Sequence, residues 1–284
     1  MYAITGITGQ VGGAVAENLL AAGAQVRAIV RNAGKGTAWA ERGCQVALAD
    51  INDADALTKA FAGTKGVFVM LPPIFDPSPG FPEADQTIES IGKALLAARP
   101  GRVVCLSTIG GQVERPNLLN QLHRMEKVIS GLKLPTTFLR PGWFMENCAW
   151  DVAKARDRGV ISSFLQPLEK PVPMVATADI GKVATELLLS GETPGVVELE
   201  GPERISPTRI AATFAQLLGK EVTIEIVPRD SWEPLFRAQG MKNPEPRMQM
   251  LDGFNEGWIE FEGNSLKGPT TLDTVLRKLI ESGK

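Results

Sequence analysis

Thr5-Gly6-Ile7-Thr8-Gly9-Gln10-Val11-Gly12 joins a short strand-like run, Tyr2–Thr5, to a stretch in which Val11, Val15, Leu19 and Ala22 fall on one helical face. Three glycines spaced GxxGxxG between a strand and a helix each have a physical job. The first permits the tight turn, the second lets a pyrophosphate approach the backbone, and the third lets helix and strand pack closely. The helix start offers unpaired N–H groups and the positive end of the helix dipole to phosphates. A glycine triplet alone is weak evidence; its placement after the first strand and before the first helix is what gives it weight.

Working outward, the pattern repeats. Gln25–Val30, Val46–Ala49, Gly66–Leu71, Arg102–Leu106 and Thr136–Leu139 read as strands. Between them lie helical stretches over Ala54–Phe61, from Pro82 to about Arg99, and around Leu122, Met125, Ile129 and Leu132. Crossovers this long exclude hairpins and predict an α/β Rossmann fold, a doubly wound parallel sheet with helices on both faces. Residues 1–150 read as the dinucleotide-binding domain. Residues 151–204 return partly to it, with a helix over Ala178–Leu189 and a strand over Gly195–Leu199. From about residue 205 to 284 a smaller C-terminal α/β substrate lobe is expected, with elements at Pro207–Leu218 and Glu221–Val227 and a last helix over Leu272–Ile280.

The chain has 284 residues and a net charge of -2, without the basic bias that nucleic acid or an anionic membrane surface would attract. No apolar run approaches the roughly 18–20 residues of a membrane span. The first residues enter a strand directly, so no signal peptide is read there. Cys44, Cys105 and Cys148 make neither a CxxC nor a metal-ligand spacing, so no metal is expected and a cytoplasmic setting is. A homodimer is the default expectation for assembly.

The end of the second strand bears on which dinucleotide is bound. NAD sites place an acid there to hold the adenosine ribose. This chain has Val30-Arg31-Asn32 with Lys35 beyond, and no acid between Glu17 and Glu41. Arg31 offers a planar fork to a 2′-phosphate and Lys35 a second charge, which favours NADPH over NADH. Asp50, after the third strand, suits either the adenine amino group or the cap of the next helix.

With this turn, Arg31 and Leu139-Arg140-Pro141-Gly142-Trp143-Phe144-Met145-Glu146-Asn147, the chain resembles the NmrA-like group of atypical short-chain dehydrogenases/reductases. Val175-Ala176-Thr177-Ala178-Asp179-Ile180-Gly181 and Gly268-Pro269-Thr270-Thr271-Leu272 extend the resemblance over most of the chain. It implies a Rossmann domain with a C-terminal substrate lobe, and a cofactor lined by Leu71-Pro72 and Pro141-Gly142 in addition to Thr5, Gly6, Thr8, Gly9, Gln10, Val11 and Gly12. The group includes quinone reductases, a triphenylmethane dye reductase, and NADP-binding regulators with little or no catalysis.

Ordinary short-chain dehydrogenases use a Tyr and a Lys spaced YxxxK. The single tyrosine here is Tyr2, at the wrong end of the first strand. That absence argues against a sugar-nucleotide epimerase. His123, the single histidine, and Lys127 fill an i, i+4 slot on one helical face. Histidine gives up a proton near neutral pH; a solvated polar face is the plain alternative. Lys127 matches the lysine that the resemblance assigns to the nicotinamide ribose, and Ser107 the family's polar residue at the end of the fifth strand, unless it is only a turn hydroxyl. Without a tyrosine acid, hydride transfer is best directed at a quinone-like or other conjugated acceptor, which becomes a delocalised anion that solvent protonates. Trp143, Phe144, Trp232 and Phe236, with Phe254, read either as the lining of an apolar pocket for such a flat small molecule or as ordinary core. The other reading is a non-catalytic NADP(H) redox sensor acting through protein partners.

Overall fold

The computed structural model describes residues 1–283. Twelve strands and eleven helices follow one another. β1 (Tyr2–Ile4), α1 (Gln10–Ala21), β2 (Val26–Val30), α2 (Thr37–Glu41), β3 (Gln45–Leu48) and α3 (Ala54–Phe61) open the chain. β4 (Gly66–Met70), α4 (Pro82–Ala98), β5 (Val103–Leu106), α5 (Asn120–Gly131), β6 (Thr136–Pro141) and β7 (Trp143–Phe144) continue it. Next come α6 (Ala149–Arg158), β8 (Val160–Ser163), β9 (Met174–Val175), α7 (Thr177–Ser190), β10 (Val196–Glu200), α8 (Pro207–Leu218) and β11 (Thr223–Ile226). α9 (Trp232–Ala238), α10 (Glu245–Glu256), β12 (Leu266–Lys267) and α11 (Leu272–Glu281) complete it.

Eight strands form one sheet in the order β12-β10-β6-β5-β4-β1-β2-β3, and every pairing in it is parallel. The fold is therefore the doubly wound Rossmann sheet. Its central strands are apolar throughout, as burial on both faces demands: Val67, Phe68, Val69, Val103 and Cys105 are fully buried. α1 and α7 cover one face through Val15, Leu19, Ile180, Ala184 and Leu188; α3, α4 and α5 cover the other through Leu57, Phe61, Ile91, Leu95, Met125 and Ile129. None of the described helices is long and apolar enough to cross a membrane.

A separate apolar core is built by the later elements. Val152, Ala155, Ile161, Phe214, Trp232, Phe236, Leu251, Phe254 and Leu276 pack together. β8 and β11 pair beside it as a small parallel sheet. Two strands from the second half of the chain extend the main sheet instead: β10 pairs with β6, and β12 with β10.

Candidate functional site

β1 is flanked by β2 on one side and β4 on the other, so the chain departs in opposite directions from their C-terminal ends. That crevice is where open parallel sheets bind ligands, and the glycine turn opens onto it. Gly6 has φ +62°, and a Cβ there would come within 2.5 Å of the Met70 sulfur. A Cβ on Gly12 would lie 2.3 Å from the Gly6 carbonyl oxygen and 2.9 Å from that of Thr5, so only glycine lets α1 start this close to β1. Thr8, Gly9 and Gln10 form an exposed lip, with Val11 and Gly12 buried behind it. Thr5 is buried, and its hydroxyl links two strands: it donates to the Phe68 carbonyl at 3.1 Å and accepts from the Met70 N–H at 3.2 Å.

α1 begins at Gly9 without a side-chain cap and without an acid in its first turn. Its first N–H groups and the positive end of its dipole are thus left for an external anion. Arg31 and Lys35 are exposed at the end of β2 and enter no ion pair among the described residues. These residues fit a phosphorylated dinucleotide: a backbone cradle that a Cβ would fill, a free helix start, and two cations without a carboxylate. Asp50 is exposed and accepts from the Asn52 N–H at 2.9 Å, while the cap of α3 is Asp53, which accepts from the Ala56 N–H at 2.9 Å. Of the two roles considered for Asp50, the helix cap is therefore taken by its neighbour.

Beyond the glycine turn, Leu71 is buried and Pro72 exposed after β4, and Pro141 and Gly142 are buried at the end of β6. The motifs that carried the family resemblance meet here. Glu146 accepts from the Thr177 N–H at 2.9 Å and its hydroxyl at 2.7 Å, holding the start of α7. Burial pushes the Glu146 carboxyl up, and these hydrogen bonds only partly offset it. Asp179 accepts from the Thr270 N–H at 2.9 Å and its hydroxyl at 2.7 Å. Three of those signatures, distant in sequence, are thus pieces of one brace.

Ser107 is buried, and its hydroxyl donates to Glu126 at 2.5 Å. Glu126 in turn takes a two-pronged contact from Arg140, at 2.8 and 2.7 Å. Arg140 also reaches Glu262 at 2.5 Å and the Gln112 side-chain oxygen at 3.2 Å. Burial lowers the guanidinium's affinity for its proton, but Glu126 and Glu262 more than restore it, and the net shift is upward. Ser107 was expected to serve the reaction directly; its hydroxyl is instead engaged by a buried carboxylate. Glu126 and Arg140 were not singled out from the sequence. The available signal was Arg140 itself, at the end of a buried strand where an unpaired charge is too costly to stand alone.

His123 is half-buried, and its Nδ1 lies 2.8 Å from the Gly111 carbonyl oxygen. It lines a cleft of about 1020 Å³ between the Rossmann sheet and the later elements. Phe81, Asn117, Asn120 and Arg124 form one wall of this cleft, and Arg229, Arg237, Lys242, Asn243, Met248 and Gln249 the other. Lys127 is exposed and does not line it, so the structure does not bring the His123/Lys127 pair together on the site. Of the two readings of Trp232 and Phe236, core is the one found: both are fully buried in the second core, where Phe164 packs on both rings and the Trp232 N–H donates to the Val227 carbonyl. Trp143 is half-buried edge-on to Phe254 at 5.1 Å, and Phe144 is half-buried against the sheet core. The cleft mixes polar and apolar lining, and its walls come from α5, α9, α10 and the loops beside them.

Comparison with known proteins places the chain. The NmrA-like family model matches residues 2–256. A curated NAD(P)H azoreductase from Xenophilus azovorans is 27% identical over 278 residues, covering 97% of this chain and 91% of that protein. A (4-alkanoyl-5-oxo-2,5-dihydrofuran-3-yl)methyl phosphate reductase from Streptomyces griseus subsp. griseus is 30% identical over 251 residues, covering 87% and 83%. Among solved structures, an NADPH-dependent quinone oxidoreductase from Escherichia coli complexed with NADPH superposes with a TM-score of 0.83 over 100% of both chains at 24% identity.

Proposed function

Because this chain belongs to the NmrA-like family, we propose that it is an NADPH-dependent oxidoreductase that reduces a quinone-like or other conjugated acceptor. The observation that carries this reading is the glycine cradle at the switch point, where a bare helix start and the unpaired Arg31 meet the requirements of a 2′-phosphorylated dinucleotide. Relatives named for azo, quinone and dihydrofuranone phosphate reduction share a conjugated acceptor, which supports the same class here.

Bound NADPH supplies the hydride. The chain's own residues do the rest. Gly6, Thr8, Gln10 and Gly12 would hold the pyrophosphate on backbone N–H groups, with Gly9 keeping the turn open, and Arg31 with Lys35 would hold the 2′-phosphate. Pro141 and Gly142 bound the nicotinamide end. His123 donates a proton to the reduced acceptor across the cleft, its Nδ1 already held by Gly111. The side chains of Arg124, Arg229, Arg237, Lys242, Asn117 and Asn120 suit an acceptor that carries polar or anionic substituents. We assign acceptor binding to the lobe from about residue 205. The three cysteines, all free and buried, suit a reducing cytoplasm.

One observation favours the sensor reading: Ser107 is engaged by Glu126 and Lys127 faces solvent, which leaves His123 alone among the expected catalytic groups. Incubation of the protein with NADPH and a panel of quinones, azo dyes and anionic enones separates the two. Acceptor-dependent loss of the reduced-nicotinamide absorbance is expected. Tight NADPH binding with no turnover across the panel would replace the oxidoreductase by the sensor.

A further inference from the structure

His123 sits three residues before Glu126 on α5, so both side chains face the Ser107–Gln112 loop that follows β5. That loop rests on the buried ion pair at three places. The Ser107 hydroxyl donates to Glu126 at 2.5 Å. The Gln112 side-chain oxygen accepts from Arg140 at 3.2 Å. Between them, the Gly111 backbone lies so close to the pair that a Cβ would come 2.7 Å from the Glu126 carboxylate and 2.9 Å from Arg140 Nε. It is Gly111 whose carbonyl oxygen lies 2.8 Å from His123 Nδ1. A carbonyl only accepts, so Nδ1 carries the hydrogen, and Nε2 is the ring nitrogen left for the cleft.

We propose that the Glu126–Arg140 pair is a positioning element for His123: by fixing the Ser107–Gln112 loop it presents the Gly111 carbonyl to Nδ1 and so sets which ring nitrogen exchanges a proton with the acceptor. The proposal rests on the reading of His123 as the proton donor. Arg140 directly precedes Pro141-Gly142, so the same pair ties the helix that bears the donor to the strand end that bounds the cofactor. In this arrangement Ser107 is a support for Glu126 rather than a contact to the acceptor.

His123 is the single histidine in the chain, so its ring resonances in a ¹⁵N-correlated NMR spectrum need no assignment. The wild-type protein at high pH is expected to show the neutral ring with hydrogen on Nδ1. Glu126→Gln keeps the shape of the side chain but cannot balance Arg140. It is expected to move the tautomer ratio roughly tenfold toward hydrogen on Nε2, the net worth of one hydrogen bond. Should Glu126→Gln fail to fold, Ser107→Ala/Gln112→Ala removes two of the three supports and leaves the ion pair in place; a smaller shift in the same direction is expected. In the same variants kcat is expected to fall while the KM for NADPH stays unchanged. A wild-type ring with hydrogen on Nε2, or a folded variant with an unaltered ring spectrum, overturns the proposal. The spectrum is read without turnover, so a protein that proves to be a sensor fails the acceptor panel and not this test.

Discussion

The glycine turn and the cleft that His123 lines are built on different principles. The turn, proposed to cradle the pyrophosphate, is local: one strand end, one turn and one helix start, within a single stretch from Thr5 to Gly12. The cleft, proposed to take the acceptor, is assembled from Phe81 after β4, Asn117 to Arg124 around the start of α5, and Arg229 to Gln249 around α9 and α10. The first depends on backbone that tolerates no side chain. The second depends on side chains, and three of its arginines are already paired: Arg124 with Asp85, Arg229 with Asp252, and Arg237 with Glu233. A backbone cradle recognises what all dinucleotides share, whereas a wall of paired side chains can change its ligand by changing single residues.

If this contrast is right, the largest single effect belongs to the cradle. Gly12→Val places side-chain atoms against the Gly6 and Thr5 carbonyls, and overpacking of about 3 kcal/mol is expected to weaken both cofactors ~100-fold. Isothermal titration with NADPH and NADH reads it, and near-normal binding would mean that α1 and β1 need not approach so closely. In the acceptor half, His123→Ala is expected to lower kcat by about two orders of magnitude at neutral pH, with the dissociation constant for NADPH unchanged. An unaltered rate would leave proton delivery to solvent and reduce the second half to binding alone.

Arg31→Ala is expected to weaken NADPH by about tenfold or more, as the loss of a charge-assisted hydrogen bond implies, and NADH little. Equal losses for both cofactors would remove the 2′-phosphate from the account. The smallest effect concerns how the halves are joined. Asp76, in the loop after β4, accepts from the Lys242 and Asn243 N–H groups at 2.9 and 2.7 Å, and these bonds hold its carboxyl below the usual range. A carboxyl lowered on folding stabilises the folded state above its unfolded value and loses that contribution as pH falls through the folded one. Asp76→Asn is therefore expected to flatten the acid limb of a plot of Tm against pH. A limb as steep as in the wild type would show that this clasp contributes nothing.

The same contrast explains what could be read from the sequence. The element order through β6, apart from the five-residue α2, is legible because its strands are apolar runs and its helices carry regular stripes: Ala54–Phe61 is found as expected, and Gly66–Met70 within one residue. The glycine turn is legible because its constraint is local. α9 and α10 are not, because Pro234, Pro244 and Pro246 read as breaks. Pro244 caps α10 and Pro246 lies in its first turn, where a missing N–H costs nothing. α6 buries only Val152 and Ala155, too short a stripe to show a period. Trp232 and Phe236 could not be placed from the sequence because an aromatic residue looks the same whether it lines a pocket or fills a core; which it does is decided by Phe164, nearly seventy residues away. Glu126 gave no signal at all, since its partners Ser107 and Arg140 are brought to it only by the sheet.

On the proposed function, the local cradle and the assembled cleft serve one reaction, with cofactor on one side and His123 on the other. A crystal structure of the protein with NADPH bound tests it most directly. The pyrophosphate is expected over Gly6–Gly12, the 2′-phosphate at Arg31, and the nicotinamide beside Pro141-Gly142 with one face open to the cleft that His123 lines. A nicotinamide ring turned away from that cleft, or walled off from His123, would contradict it.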